Sequence, residues 1–347
     1  MSSAIFVAMP PTLLAIETSC DETSAAVLRD GKILSNIIAS QSEHERWGGV
    51  VPELASRAHE QKIVAVVEQS LTIAGIKKEE LSAIAVTQGP GLIGSLMVGV
   101  SFAKAFALGL NVPLIAVNHL HAHLLSVLAD EKKPEFPFLC LTVSGGHTML
   151  VLVKSPLEFE VLGTTRDDAA GEAFDKCSKM LGLSYPGGPL LDKLAPAGDS
   201  SYFKFAEPQA PEFDFSFSGL KTSVLYFLEK EKKKNENFIA ENLSNLCASV
   251  QEAIVNCLVK KLEAAAKKLT VSEIALAGGV SANSGLRKKV FAVAGENGWQ
   301  IFVPPFELCT DNAAMIGIVA HYKFLAGEFA DQSLVPRARF PLQTIQS

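Results

Sequence analysis

One strand–turn–strand–turn–strand rhythm occurs twice in this chain, and it constrains the fold more than any other feature. Near the N-terminus it runs as Leu13 to Glu17, a polar turn over Thr18 to Thr23, Ser24 to Leu28, the turn Arg29-Asp30-Gly31, and Lys32 to Ala39. It returns as Phe138 to Val143, Ser144-Gly145-Gly146-His147, Thr148 to Val153, Lys154-Ser155-Pro156, and Phe159 to Leu162. Apolar and β-branched runs bounded by Gly, Pro, Asp and Ser read as strands and turns. A repeated meander predicts two related lobes, each opening on a turn that presents backbone amides.

Between the repeats, apolar residues at helical spacing predict a helix over Pro52 to Gly75, and small residues predict another over Gly94 to Leu110. Ile84 to Gln88 and Leu114 to Val117 read as short buried strands. After the second meander come helices over Asp168 to Leu181, Pro189 to Ala195, Ser218 to Lys232 and Glu236 to Lys268. Strand Ile274 to Ala277 then runs into Gly278-Gly279, a helix from Asn283 and a last helix from Asn312. This alternation predicts an α/β fold. The expected domains are an N-terminal lobe over 1–118, completed by the helix at 312–330, a second lobe over 119–311, and a tail over 331–347. Pro208-Gln209-Ala210-Pro211 and the run Phe213 to Phe217 are expected to form an ordered excursion, because disordered linkers seldom hold so many Phe.

With 347 residues and 48% hydrophobic composition the chain can bury two cores. No run of consecutive apolar residues is long enough for a membrane helix, and Met1 to Pro11 lacks the basic start and apolar stretch of a secretory signal. The expectation is a cytoplasmic protein with no membrane attachment. The six Cys are scattered without a Cys-x-x-Cys pair, as suits reduced thiols. A net charge of -6 excludes nucleic-acid binding by bulk charge, so any RNA contact is local or shared with a partner. Basic candidates are Lys230 with Lys232 to Lys234, the set Lys260, Lys261, Lys267 and Lys268, and Arg287 to Lys289; such runs are commonly solvated helix faces.

Several residues suggest chemistry. His119 and His123 stand four apart, so a helix would put both imidazoles on one face, where they can grip a metal ion; the plain alternative is polar residues on a partly exposed helix start. His121 falls off that face and reads as a solvent-facing or supporting residue. A metalloprotease helix would carry Glu directly after the first His, and here that position is Leu120. The Gly pairs 145–146, 187–188 and 278–279 let amides approach an anion, or serve ordinary turns. Glu172 and Asp175 share a helix face, Asp21 and Glu22 sit in the first meander turn, and Asn283 can cap a helix or bind a nucleoside. Thr310 or Asp311 is either an N-cap or, for Asp311, a third metal ligand suited to iron or zinc.

Taken together, ETSCDETSAAV (17–27), GGVVPELASRAHEQ (48–61), the two-His segment, SGGHT (144–148), GEAFDK (171–176), YPGGP (185–189), FSGLKT (217–222), GGVSAN (278–283) and CTDNAAMIG (309–317) resemble the tRNA N6-adenosine threonylcarbamoyltransferase family, formerly described as O-sialoglycoprotein endopeptidases. The likeness runs from Leu13 to Gly327 and is nearest the bacterial and mitochondrial branch. It implies the two-lobed actin-like, sugar-kinase-like ATPase fold. It also implies transfer of threonylcarbamoyl from L-threonylcarbamoyladenylate to N6 of adenosine 37 in tRNAs reading codons that begin with A, with release of AMP. The implied metal, iron favoured and zinc possible, falls on His119, His123 and Asp311. Implied substrate contacts are Thr142, Val143, Ser144, Gly145, Gly146, Asp175, Gly188, Asp192 and Asn283. Asp21, Glu22 and His147 are the candidate catalytic groups. Implied partners, besides tRNA, are an inactive paralogue in a heterodimer and a transient ATPase. Many members of that family carry Glu and Gly where this chain has His121 and Ala122. The competing readings are a sugar or acetate kinase-like phosphotransferase and a nucleotide-binding scaffold with a structural metal.

Overall fold

The structure is a computed structural model describing residues 10–41, 49–207 and 210–342. The start of the chain, Gly48 of the second motif, Pro208 and Gln209 of the excursion, and the end of the tail at 343–347 lie outside the described residues. The described residues divide into two compact units, one comprising 10–41, 51–125 and 312–341, the other 49–50, 126–207, 210–311 and 342.

In the first unit, strands β1 (Thr12–Glu17), β2 (Thr23–Arg29) and β3 (Lys32–Ala39) form the expected antiparallel meander. Two further strands, β4 (Ala83–Gly89) and β5 (Leu114–Asn118), add in parallel beside β1, giving the sheet order β3-β2-β1-β4-β5. Every residue of β1 and β4 is buried, as a strand covered on both faces requires. Helix α1 (Pro52–Ala74) opens with Pro at its first position and ends on Gly75 in the left-handed region, as the sequence signals predict. Helix α2 (Ile93–Leu110) is, among the described residues, the one helix long and apolar enough to cross a bilayer. One face of it, with Val100, Ala103 and Ala107, packs into this unit's core, while Ile93, Met97 and Leu108 are exposed.

Helix α3 (His119–Leu125) belongs to this unit and not to the second, where the sequence placed it, because it packs on the closing helix α9 (Ala313–Leu325). Residues 331–341 were expected as a loose tail. Instead the Arg337 amide donates to the Gln88 carbonyl at 2.8 Å, and the Gln88 side chain donates to Val335 O at 3.0 Å.

His59 on α1 is fully buried and pins the first meander turn. Its Nε2 lies 2.9 Å from the Cys20 carbonyl, which can only accept, so Nε2 holds the ring proton and Nδ1 takes the Thr23 hydroxyl at 2.8 Å. Burial pushes its pKa below 6.5, although the Cys20 carbonyl and nearby Glu17 and Asp21 oppose the shift. A ring kept neutral in the fold takes up a proton more readily when unfolded. Stability contributed by His59 is therefore complete above pH 6.5 and is lost as pH falls through the lower folded value. Denaturant unfolding between pH 7.5 and 5.5 should show this decline, and His59→Gln should flatten it.

The second unit repeats the plan. Strands β6 (Phe138–Val143), β7 (Thr148–Ser155) and β8 (Glu158–Thr164) form the second meander; β9 (Glu273–Ala277) and β10 (Gln300–Phe302) add in parallel beside β6. The order β10-β9-β6-β7-β8 is that of the first sheet, strand for strand. Helices α4 (Ala170–Met180), α5 (Gly187–Leu194), α6 (Ser218–Lys232), α7 (Phe238–Leu269) and α8 (Ser284–Asn297) surround it. The aromatic excursion is ordered through Phe215, whose amide and carbonyl bond Thr164 and Arg166, and through Phe215 and Phe217, which are fully buried and stacked.

Candidate active site and metal centre

Asn118, the last residue of β5, turns the chain directly into α3. Its Oδ1 accepts the Leu120 and His121 amides at 2.8 and 3.3 Å, covering donors that a helix start leaves unpaired, and its Nδ2 donates to Phe340 O at 3.0 Å. The His119 and His123 rings stand edge to face with centroids 4.7 Å apart. The whole helix is buried, so the reading of a partly exposed polar start fails, and His121 at 5% exposure does not face solvent.

At the entry to α9 the N-cap is Asn312, whose side chain accepts the Met315 amide at 3.0 Å; neither Thr310 nor Asp311 caps the helix. Ser24 and Asn36 side chains take the amides of Ala313 and Ala314. One ligand atom from each of His119, His123 and Asp311 lies within 4.8 Å of the others. Two imidazole nitrogens and a carboxylate oxygen fit a divalent transition metal with coordination positions left over.

A residue outside the expected set supports His119. Glu17 closes β1, is 0% exposed, and places Oε2 2.9 Å from His119 Nδ1 and 2.7 Å from the Thr87 hydroxyl; its Oε1 accepts the Ser19 amide.

Within the second unit, a cavity of about 450 Å³ gathers expected residues from distant stretches: Gly145, Asp175, Gly188, Asp192 and Asn283. Phe174, Pro186, Pro189 and Val280 supply apolar wall, and Phe306 and Thr310 complete one side. Gly171 must lack a side chain here, since its Cβ would lie 2.5 Å from the Ser144 carbonyl that its own amide bonds. Asp175 Oδ1 accepts the Gly187 and Gly188 amides, both at 2.9 Å, holding the start of α5. Asp192 accepts the Ser284 amide and hydroxyl, and Asn283 caps α8 through Leu286 while donating to Gln251. Glu172, which shares the helix face with Asp175, instead pairs with Lys176 at 2.7 Å.

Other expected residues lie elsewhere. Thr142 and Val143 are buried in β6; Ser144 closes its turn with His147, donating its amide to the His147 carbonyl at 2.8 Å and accepting the His147 amide at 3.1 Å. Gly146 is exposed in that turn. Asp21 and Glu22 are half-buried in the β1–β2 turn of the first unit. Among the described residues lining the cavity there is no Lys, Arg or His. The basic runs are largely committed: Lys260 to Glu207, Lys261 to the Ala210 carbonyl, Lys267 to Glu263 and Lys289 to Glu252.

Burial pushes the Asp175 carboxyl above the usual carboxylate range against the pull of its two amide bonds. A carboxyl raised in this way favours the fold at low pH and loses that contribution as pH rises through its folded value, so its ionised form opposes folding at neutral pH. Asp175→Asn keeps the accepting oxygen for both amides. It is expected to raise unfolding stability at pH 7, read by denaturant unfolding beside the unsubstituted protein.

The family profile described as tRNA N6-adenosine threonylcarbamoyltransferase matches residues 32–318. Proteins of that name from Christiangramia forsetii and Riemerella anatipestifer are 54% and 55% identical over 331 and 333 residues. The alignments cover 94% and 95% of this chain and 97% and 98% of the relatives. A crystal structure of full-length HypF in a phosphate- and nucleotide-bound form superposes with a TM-score of 0.61 at 13% identity, over 92% of this chain and 47% of that one. That likeness supports the actin-like ATPase fold alone. The family match does not favour the phosphotransferase or scaffold readings. The chain belongs to the tRNA N6-adenosine threonylcarbamoyltransferase family, and its reaction is the transfer of a threonylcarbamoyl group to N6 of an adenosine in tRNA.

Proposed function

We propose that the acyl donor is L-threonylcarbamoyladenylate, that its nucleoside lies in the cavity of the second unit, and that the acceptor is adenosine 37 of tRNAs reading codons that begin with A. The observation carrying this reading is the convergence of Gly145, Asp175, Gly188, Asp192 and Asn283 on one cavity. Its flat Gly backbone and apolar walls suit a planar base, and its carboxylates can accept ribose hydroxyls. Without a cationic side chain in its lining, the cavity suits a nucleoside better than a polyphosphate.

The donor is a mixed carbamic–phosphoric anhydride, so this step needs no ATP. N6 of adenosine attacks the carbamoyl carbon, the bond from that carbon to the phosphate oxygen breaks, AMP leaves with the electron pair, and N6 gives up a proton. Asp21, Glu22 and His147 are the candidate acceptors of that proton. His119, His123 and Asp311 would hold iron, with zinc as the second choice, and the bound ion would supply positive charge for the donor's oxygens. With 37 acidic and 31 basic residues the chain has no general field for tRNA, which supports a shared binding surface: a heterodimer with an inactive paralogue, served by a transient ATPase. The absence of any disulfide among the six cysteines accords with a reducing cytoplasm.

Calorimetry with AMP tests the donor site. Asp192→Ala, which also releases the Ser284 contacts, should weaken AMP binding by about tenfold or more, the scale of one to two lost hydrogen bonds to a charged group. Unchanged AMP affinity would move the nucleoside out of this cavity.

A further inference from the structure

We propose that Glu17 is a positioning residue that selects the imidazole tautomer of His119 and so assigns Nε2 as its metal-binding nitrogen. The inference rests on the metal reading of His119, His123 and Asp311 and concerns a residue outside that set.

Glu17 is fully buried at the end of β1, beside β4, which carries Thr87. Its carboxylate receives the Ser19 amide on Oε1 and the Thr87 hydroxyl on Oε2. The same Oε2 lies 2.9 Å from His119 Nδ1. Both carboxyl oxygens already act as acceptors, from the Ser19 amide and the Thr87 hydroxyl; the proposal gives Oε2 the same role toward Nδ1, which then carries the ring proton and leaves the lone pair on Nε2. Ser19 Oγ, 3.3 Å from the same Nδ1, is compatible with this because a hydroxyl accepts as well as donates. A carboxylate bonded to the non-coordinating nitrogen also makes the imidazole more basic and holds its ring plane. The two strands fix Glu17 before any ion arrives, so the tautomer is set by the fold.

Glu17→Gln makes the proposal testable, because the amide cannot serve Ser19, Thr87 and His119 in their present donor and acceptor roles. The Ser19 N–H can only donate, so the glutamine oxygen must stay on that side and its NH2 must face Thr87 and His119. Thr87 can turn its hydroxyl to accept. His119 can accept only by moving its proton to Nε2, which removes the lone pair a cation needs.

Long-range 1H–15N spectra of the metal-free wild-type protein, with His119 assigned by the signal lost in His119→Gln, are expected to show the Nδ1–H form. Glu17→Gln should show the Nε2–H form and bind zinc about 10- to 100-fold more weakly in a chelator competition. An Nε2–H ring in the wild type overturns the proposal whether or not Glu17→Gln folds. Unchanged tautomer and zinc affinity in Glu17→Gln overturn it as well. His123→Ala separates the two readings: zinc retained there overturns the metal centre, while the tautomer result still decides the role of Glu17.

Discussion

Asp311→Ala is expected to cost the protein its metal while leaving the fold in place, the largest single effect the site predicts. One carboxylate is a third of the protein's ligand set, and second-sphere losses alone weaken metal sites about 10- to 100-fold, so removal of a direct ligand should exceed that range. The fold should survive because Asn312, and not Asp311, caps α9, and because Ser24 and Asn36 hold the next amides of that helix. Metal analysis after gel filtration gives occupancy, and circular dichroism with a thermal melt gives the fold. Full occupancy in the variant would remove Asp311 from the site.

Gly278→Ala should be the most damaging change in the second unit. Gly278 sits at φ 81 and ψ 164, a conformation essentially confined to glycine, and a Cβ there would meet the Val143 carbonyl at 2.5 Å. Backbone strain and steric overlap each cost about 1–3 kcal/mol, so destabilisation of about 3 kcal/mol or more is expected. The effect should fall on activity too, because Gly279, Val280 and Asn283, all within five residues, line the cavity. Unfolding curves and AMP calorimetry would check both parts. A variant with wild-type stability would show that the turn relaxes.

Much of this was legible because local signals and the final structure agree. Helix α6 begins and ends at Ser218 and Lys232 as its periodicity and flanks indicate, and both meanders fall where the turn residues put them. Strand β10 was missed: at three residues it is too short for alternation to register, and its pairing with β9 decides it. The placement of α3 also eluded a linear reading, since its partner α9 follows nearly two hundred residues later. His121 has the spacing of an off-face residue, yet both faces of α3 are covered.

At the site, His119, His123 and Asp311 could be named from residue type and motif, and so could the five expected residues that line the cavity. Glu17 could not, because a carboxylate at a strand end looks like a solvated turn residue until His119 is brought to it. Phe306 carried no signal either: it is 69% exposed and its only mark is the cavity it borders. What the sequence hid were relations between segments far apart in the chain.

The central claim is tested most directly by incubating the purified protein, with the proposed paralogue and ATPase, with L-threonylcarbamoyladenylate and unmodified tRNA, then measuring nucleosides by mass spectrometry beside released AMP. The account predicts threonylcarbamoyl on N6 of adenosine 37 with one AMP freed per modified nucleoside, no requirement for ATP, and loss of product in Asp311→Ala. Consumption of the donor without modified adenosine, or product formation that persists undiminished in Asp311→Ala, would contradict it.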